Sequence, residues 1–337
     1  MNRTVWQIAA IYSASALGVS YLVGAEWLRF FSFYGIWGII GIAVATLGLT
    51  WLIDQSIRLA VSRQIPSLDR FLAFLFGEKA APTVTFLIYM LVLVYAGVSI
   101  GEVASMWTRD VTATLILLIG ICAAAFLLLR VRQTRLIFFA MLLIVAAASL
   151  LIVLFLLQPH VPLPSLAYQS NGNWLLYTSF YVAFHYVFLL VILFAQIGRS
   201  PNLPKLRSGI WLGGFLLLLI ISLGNITILA HWHEVNASDQ PITLILAHFM
   251  SGSQYGVWVH SLLQLLLLIA FCVYGLTAPL AEKHDLRHAP LYLLFTAVAL
   301  IFSPLPFFSE WYSMIVYAIT TYTGMVLLLR FLWKRTK

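Results

Sequence analysis

The sequence predicts an all-α integral membrane protein of about ten transmembrane helices, and its composition is the first reason. Of 337 residues, 62% are apolar and 9% are charged, whereas roughly 25% are charged in an ordinary soluble domain. A helix needs roughly 20 mostly apolar residues to cross the hydrocarbon core of a bilayer, so this chain supplies about ten such segments. The polar stretches between them are short loops, and one compact membrane domain over residues 1–337 is therefore expected.

The apolar segments follow one another along almost the whole chain. Spans are expected near residues 5–30, 34–57, 83–106, 112–129, 136–157, 174–197, 209–230, 256–280, 289–303 and 311–332. A further apolar segment at 240–252 is about a dozen residues long, which is too short to cross a bilayer. It is expected to be re-entrant or to lie on the surface between spans seven and eight.

The positions of the basic residues predict the orientation of these spans. Lys and Arg in short loops resist translocation across the membrane. With the N-terminus in the cytoplasm, 17 of the 19 Lys and Arg residues fall on the cytoplasmic side, and only Arg29 and Arg109 fall on the other. We expect a multi-pass protein of the plasma membrane with both termini cytoplasmic. The basic residues form no stripe with interleaved aromatic residues, so a nucleic-acid partner is not expected.

Span one contains residues that plain lipid-facing helices rarely carry. Gly18, Ser20 and Gly24 interrupt its apolar run, and Glu26 follows. Glycine destabilises a helix by roughly 1 kcal/mol relative to alanine, and unwound backbone at membrane depth is tolerated only where it is buried or lines a wet cavity. We therefore expect a broken helix. The alternative is a packing face of small residues, with Glu26 at the outer interface beside Arg29.

Span six begins with a polar and aromatic cluster that includes Tyr181 and His185, and it is the second candidate for a broken helix. A histidine in a membrane segment either hydrogen-bonds to a neighbouring helix or takes part in ligand binding or proton transfer, and both interpretations are open. Breaks in spans one and six of ten give each half an irregular first helix and opposite orientations. This is the inverted-repeat plan of secondary transporters, with repeats at about 5–157 and 174–332.

The residues from Trp6 to Gly38 carry a family resemblance. The core of this stretch reads Gly18-Val19-Ser20-Tyr21-Leu22-Val23-Gly24-Ala25-Glu26, followed by Phe30, Phe31 and Gly35. It resembles the first helix of YkvI-like bacterial membrane proteins, in which a Gly-Ala-Gly-Phe-Ala-x-Gly-x-Glu core precedes a Phe-Phe pair and a glycine. Ser20 replaces the second glycine of that core, and His185 stands where asparagine is expected.

The resemblance implies an outlying branch of the amino acid, polyamine and organocation superfamily, with the LeuT-type fold and a relation to the membrane subunits of spore germinant receptors. A substrate then lies between spans one and six. The residues implied to bind it are Gly18, Ser20 and Gly24, through freed backbone groups, and Tyr181 and His185 on the opposite wall.

Two acids lie within or beside the apolar runs, Glu26 at span one and Glu102 in span three. Either they share a proton or hold a cation, or both lie in the outer headgroup region and balance Arg29 and Arg109; both interpretations are open. The resemblance places a sodium site between spans one and eight, but span eight has no Ser/Thr pair in its inner half. Proton coupling or uniport is therefore expected rather than sodium coupling.

The loop after span seven is rich in histidine and acidic residues, namely His231, His233, Glu234, Asp239 and His248. Their spacing is not that of a typical zinc site, so an outer vestibule loop without metal is expected. The sequence contains no phosphate-binding glycine loop, no nucleophile elbow and no paired catalytic acids. We expect neither an enzyme nor a bound cofactor.

These observations favour a secondary transporter of a small organic solute, an amino acid or an amine, that works by alternating access. The alternative is a ligand-sensing membrane subunit of a receptor complex, similar to those of germinant receptors, without substantial flux. A third hypothesis is a scaffold whose binding site has decayed, since Ser20 and His185 depart from the family pattern.

Overall fold

The computed structural model confirms the all-α prediction. It describes residues 3–18, 21, 23–108, 110–131, 133–157, 173–197, 202–303 and 309–335. Within these ranges the regular structure is helical throughout. The helices in chain order are α1 (Arg3–Leu17), α2 (Ala25–Phe30), α3 (Ile36–Ser62), α4 (Leu68–Phe76), α5 (Ala81–Trp107), α6 (Val111–Leu129), α7 (Gln133–Leu157), α8 (Asn173–Ile197), α9 (Leu203–Ala230), α10 (Trp232–Val235), α11 (Pro241–Phe249), α12 (Ser253–His284), α13 (His288–Ile301) and α14 (Ser309–Arg335).

Eight of the described helices are long and apolar enough to cross a membrane, namely α3, α5, α6, α7, α8, α9, α12 and α14. They correspond to predicted spans two to eight and ten. Predicted span one is divided between α1 and α2, and predicted span nine is the 14-residue helix α13. Large apolar side chains such as Ile116 and Leu156 lie exposed on the outside of the bundle, as expected where lipid is the solvent. The protein is therefore a multi-pass membrane protein.

The predicted break in span one is confirmed. Helix α1 ends at Leu17 and α2 begins at Ala25. Gly18 and Gly24, on either side of this gap, have φ angles of +69° and +87°, a left-handed region that glycine adopts without the steric cost that other residues incur. The two glycines therefore let the chain leave one helix and enter the next.

The predicted break in span six is wrong. Helix α8 runs without interruption from Asn173 to Ile197. This segment contains neither glycine nor proline, and its hydroxyl groups bond to the helix itself: Thr178 donates to the carbonyl of Trp174 at 2.7 Å and Ser179 donates to that of Leu175 at 2.8 Å. Polar side chains that bond back to position i−4 do not require an unwound backbone.

The short apolar segment between spans seven and eight forms α11 and does not cross the bundle. Its residues Ile242, Ile245 and Leu246 are buried. The backbone N–H of Ile242 donates to the carbonyl of Val23 at 3.1 Å. Helix α11 therefore covers the break between α1 and α2.

Most of the helices pack in two groups, and α7 packs against α1 and α9. Helices α1, α3, α8 and α9 pack against one another, and α5, α6, α12 and α13 form the second group. The groups meet mainly where α12 packs against α8, while α14 packs against both α8 and α5. The break in span one therefore lies in the first group and faces helices of the second.

Helix α1 is held against α9 by two glycines of α9 spaced four residues apart. A Cβ atom at Gly209 would lie 2.6 Å from Cβ of Ile8, and one at Gly213 would lie 2.9 Å from the carbonyl oxygen of Ala9. The hydroxyl of Ser13 also donates to the carbonyl of Gly213 at 3.0 Å. Small residues at this spacing allow membrane helices to approach closely, so α1 and α9 form one unit.

An ion pair joins α3 to the beginning of α9. Nε of Arg207 lies 2.7 Å from Oδ1 of Asp54, and Nη2 lies 3.2 Å from Oδ2. The Asp54 side chain is 1% exposed and that of Arg207 is 39% exposed. This two-pronged geometry is the favourable one for arginine and a carboxylate, and it adds a polar link within the first helix group.

We predict that replacing Gly213 with alanine lowers the stability of the protein by about 1–3 kcal/mol, the usual cost of overpacking. The new methyl group would lie 2.9 Å from atoms of Ala9 and Tyr12. Thermal unfolding of the purified protein in detergent measures the effect.

Gly48→Ala is the matched control, because a Cβ at Gly48 in α3 meets no atom within 4 Å. Alanine is favoured over glycine inside a helix by roughly 0.5–1 kcal/mol, so this variant is expected to be unchanged or slightly more stable. Equal unfolding temperatures for the two variants would contradict the close packing of α1 on α9.

Candidate functional site

The break in span one places a carboxylate inside the protein. Glu26 lies in the first turn of α2 and is 7% exposed. The hydroxyl of Tyr317, on α14, donates to Oε1 of Glu26 at 3.2 Å. Because a charged side chain in a membrane segment is costly, such a residue marks a functional site by default.

Three tyrosines from three different helices interact with Glu26. Tyr95 of α5, Tyr181 of α8 and Tyr317 of α14 each lie close enough to interact electrostatically with its carboxylate. Tyr95 and Tyr181 are 3% and 1% exposed. We call these four residues the Glu26 cluster. Its members come from both helix groups and from α14, so it lies where the groups meet.

Gly18 opens directly onto the Glu26 cluster. A Cβ atom at this position would lie 3.1 Å from the hydroxyl oxygen of Tyr95 and 3.9 Å from Oε1 of Glu26. Any larger residue would also have to adopt the positive φ angle of Gly18. The end of α1 therefore brings main chain, rather than a side chain, to this part of the cluster.

Glu102 supplies a second acid beside the cluster. Its carboxylate interacts electrostatically with the carboxylate of Glu26 and with the guanidinium of Arg29, and it is hydrogen-bonded to Ser313 of α14. Arg29 itself forms an exposed ion pair with Asp239 at 3.6 Å. The expectation that the two acids balance Arg29 and Arg109 is therefore only partly addressed. Glu26 is buried, and the ion pair of Arg29 within the described residues is with Asp239. Arg109 lies outside the described residues.

His185 lies on α8 one turn beyond Tyr181. The two rings are 4.1 Å apart between centroids, and the imidazole is 2% exposed. Its Nε2 atom has no hydrogen-bond partner within the described part of the chain. On its other side Tyr181 packs edge-on against Phe31 and Phe30 at 5.1 and 5.6 Å. The ring nitrogen without a described partner thus belongs to a side chain that contacts Tyr181, a member of the cluster.

Helix α12, which belongs to the second group, forms hydrogen bonds with the chain at the break in span one. The hydroxyl of Tyr21, within the break, is hydrogen-bonded to Nε2 of His260 at 2.5 Å. The amide of Gln264 donates to the carbonyl of Ala14 in the last turn of α1 at 2.9 Å. Unwound backbone at membrane depth needs partners of this kind, so α12 contacts the chain both before and within the gap.

Most of the residues predicted to bind substrate or protons lie together. Gly18, Glu26, Glu102 and Tyr181 lie at or beside the cluster, and His185 adjoins it. Gly24 lies at the other end of the break under α11, and Ser20 lies outside the described residues.

The sequence interpretation missed Tyr95, Tyr317 and Tyr21. The signal for Tyr95 is present, because Tyr95, Ser99 and Glu102 are spaced four and three residues apart and share one face of α5. The hydroxyl of Tyr95 is in fact hydrogen-bonded to Ser99. Tyr317 has no such neighbour in sequence, and only the packing of α14 brings it to Glu26.

Within the described ranges, no three His, Cys, Asp or Glu residues are placed to hold a metal ion. His231, from the histidine-rich loop, has its Nδ1 atom 3.1 Å from the carbonyl oxygen of Thr227. This loop therefore supplies no described metal centre.

Comparison with known proteins gives structural neighbours and no sequence relative. No family model matches the sequence, and no curated protein matches it. The structure is similar to that of Mhp1, a nucleobase-cation-symport-1 family transporter solved in a closed conformation with bromovinylhydantoin bound, with a TM-score of 0.57 and 14% sequence identity. The match covers 94% of this chain and 77% of that chain. This likeness supports the predicted all-α membrane fold, and membership of the YkvI-like family stays a prediction.

We predict that Gly24→Ala destabilises the protein more than Gly252→Ala does. Each glycine directly precedes a helix and has a left-handed backbone conformation. The φ and ψ angles are 87° and 0° for Gly24 and 81° and −2° for Gly252. The backbone cost is therefore shared. A Cβ at Gly24 would also lie 2.8 Å from Cγ1 of Ile242, whereas one at Gly252 meets only Tyr255 at 4.0 Å.

Thermal unfolding of the two variants in detergent measures the difference, which is expected to be about 1–3 kcal/mol. Equal losses in the two variants would show that α11 does not press on the break.

Proposed function

We propose that the protein is a secondary transporter of a small organic solute, an amino acid or an amine, that operates by alternating access in the plasma membrane with both termini in the cytoplasm. The observation that carries this proposal is the Glu26 cluster, in which a buried carboxylate beside a helix break interacts with three tyrosines. The likeness to a transporter solved with a small molecule bound supports the same class.

The position of the cluster suits alternating access. Glu26 lies on α2, which packs against α8 and α9 of the first group, and Tyr181 lies on α8 itself. Tyr95 lies on α5, in the group of α5, α6, α12 and α13. Rocking of one group against the other would change the side from which a site between them is reached, as in transporters with discontinuous helices. The tight α1–α9 contact and the Asp54–Arg207 ion pair would keep the first group together during this motion.

The chemistry of the cluster favours a substrate that carries an ammonium group. Carboxylates attract such a cation, and the faces of aromatic rings add roughly 0.5–2 kcal/mol of cation–π attraction. The last carbonyl groups of α1 lie at the negative end of that helix and also favour positive charge. His185, with its unsatisfied Nε2 atom, offers a hydrogen bond to a second polar group of the substrate.

The two acids supply a route for proton coupling. Glu26 and Glu102 interact electrostatically, and such a pair takes up and releases protons as a coupled unit. Binding of a cationic substrate would then compete with a proton held by the pair. Such competition would make the transporter exchange the substrate for protons, without a sodium site.

A first test is thermal unfolding of the purified protein against a panel of amino acids and amines. A ligand at 100 times its Kd raises stability by about 2.7 kcal/mol. We expect one compound class to raise the unfolding temperature, and we expect Tyr317→Phe to reduce that shift, because it removes only the hydroxyl that donates to Glu26.

Tyr322→Phe is the matched control, since Tyr322 lies on the same helix but is 76% exposed, and it is expected to keep the full shift. A panel without any shift would argue against these substrates. A shift without flux in proteoliposomes would indicate a ligand-sensing subunit instead of a transporter.

A second test concerns the proton. We predict that Glu26→Gln abolishes accumulation of substrate driven by an imposed pH gradient in proteoliposomes, because glutamine neither binds nor releases a proton. Glu78→Gln, at an exposed site between α4 and α5, is the control and is expected to behave as the wild type. Gradient-driven accumulation that persists in Glu26→Gln would remove this residue from the coupling mechanism.

A further inference from the structure

One exposed face of α14 carries a groove. Val326, Leu329, Arg330 and Trp333 line a groove of about 350 Å³. Their spacing of three, one and three residues places them on a single face of the helix. The first two side chains are apolar and are 50% and 67% exposed, and the arginine follows them toward the end of the helix. The groove therefore runs from an apolar part to a charged part.

Arg330 of this groove and two further cations lie over aromatic rings of α4. The guanidinium of Arg330 is 5.7 Å from the ring centre of Phe76. Nζ of Lys334 is 5.6 Å from the ring centre of Phe74, and the guanidinium of Arg63, just after α3, is 5.9 Å from the same ring. Helix α4 thus draws basic residues from two distant parts of the chain to one place.

The positive charge of this site is not neutralised by the described protein. Among the described residues, no carboxylate forms an ion pair with Arg63, Arg330 or Lys334. The acid in the first turn of α4, Asp69, instead accepts a hydrogen bond from the hydroxyl of Tyr89 at 3.2 Å. The rings under the cations hold their positions without cancelling their charge.

We propose that Arg63, Arg330 and Lys334 bind the headgroup of an anionic phospholipid, with an acyl chain of that lipid lying along Val326 and Leu329. The order of the groove matches the order of the ligand, since a phospholipid joins its phosphate to apolar chains. A zwitterionic lipid carries its own cation, which these three residues would repel. The site lies at the ends of α3 and α14, the membrane face proposed as cytoplasmic, where anionic lipids attract basic residues.

The platform under the site is connected to the core. Phe71 of α4 packs against Phe194 of α8 at 4.9 Å and against Phe331 of α14 at 6.3 Å. A lipid that bridges α4 and the end of α14 would therefore hold both against α8. Because it binds the native state only, it would raise the unfolding temperature.

The test compares lipids on the purified full chain in detergent. We expect phosphatidylglycerol to raise the unfolding temperature more than phosphatidylcholine with the same acyl chains, and to stay bound in native mass spectrometry. Glycerol 3-phosphate, which has the same phosphate without the chains, is expected to give no shift. Equal effects of the two lipids on the wild type would overturn the proposal, as would a full shift with glycerol 3-phosphate.

Two kinds of variant assign the effect to the site. Arg330→Gln/Lys334→Gln removes two charges. We expect this variant to lose at least half of the difference between the unfolding-temperature shifts that the two lipids cause. Arg130→Gln/Arg135→Gln is the matched control, because it removes two exposed charges beside the connection between α6 and α7, and it is expected to keep the difference.

Val326→Trp fills the groove and leaves all three cations in place, so it tests the acyl-chain contact separately and does not depend on the folding of the charge variant. We expect it to lower the amount of phosphatidylglycerol retained. Full retention in both Val326→Trp and Arg330→Gln/Lys334→Gln would place the lipid elsewhere and overturn the proposal.

Discussion

The architecture depends on one constraint, which is that the main chain opened between Gly18 and Gly24 must find its hydrogen-bond partners inside the protein. A bilayer offers no water to replace them. The carbonyl of Ala14 therefore accepts from Gln264, and the carbonyl of Val23 accepts from the backbone of Ile242. These contacts explain why α12 approaches the end of α1 and why α11 returns to cover the gap.

The same opening gives the protein its buried carboxylate. A continuous helix through residues 18–24 would place Glu26 farther along the axis of α1, whereas the gap lets α2 carry Glu26 back among the tyrosines of α5, α8 and α14. Trp27, the next residue, packs directly on Gly224 of α9 and fixes α2 in place. Structural irregularity and candidate chemistry thus have a common origin in two glycine residues.

The fold was largely predictable because lipid imposes simple rules on sequence. Length and apolar composition located the spans, and the glycines of span one located its break. The predicted break in span six is wrong because polar residues at membrane depth do not require unwinding when they bond to their own helix, as Thr178 and Ser179 do. At the candidate site, Glu26, Glu102 and Tyr181 were found as polar residues at membrane depth, but Tyr317 lies 291 positions from Glu26 and no local pattern joins them.

The sequence by itself determined the membrane class, the approximate spans and the position of the helix break, because each depends on the composition of a short segment or on the conformational freedom of single glycine residues. Only the tertiary structure decided which side chains surround Glu26 and which cations gather over the rings of α4. Those sets combine residues from helices far apart in the chain, and their meeting depends on how whole helices pack, which no single segment encodes.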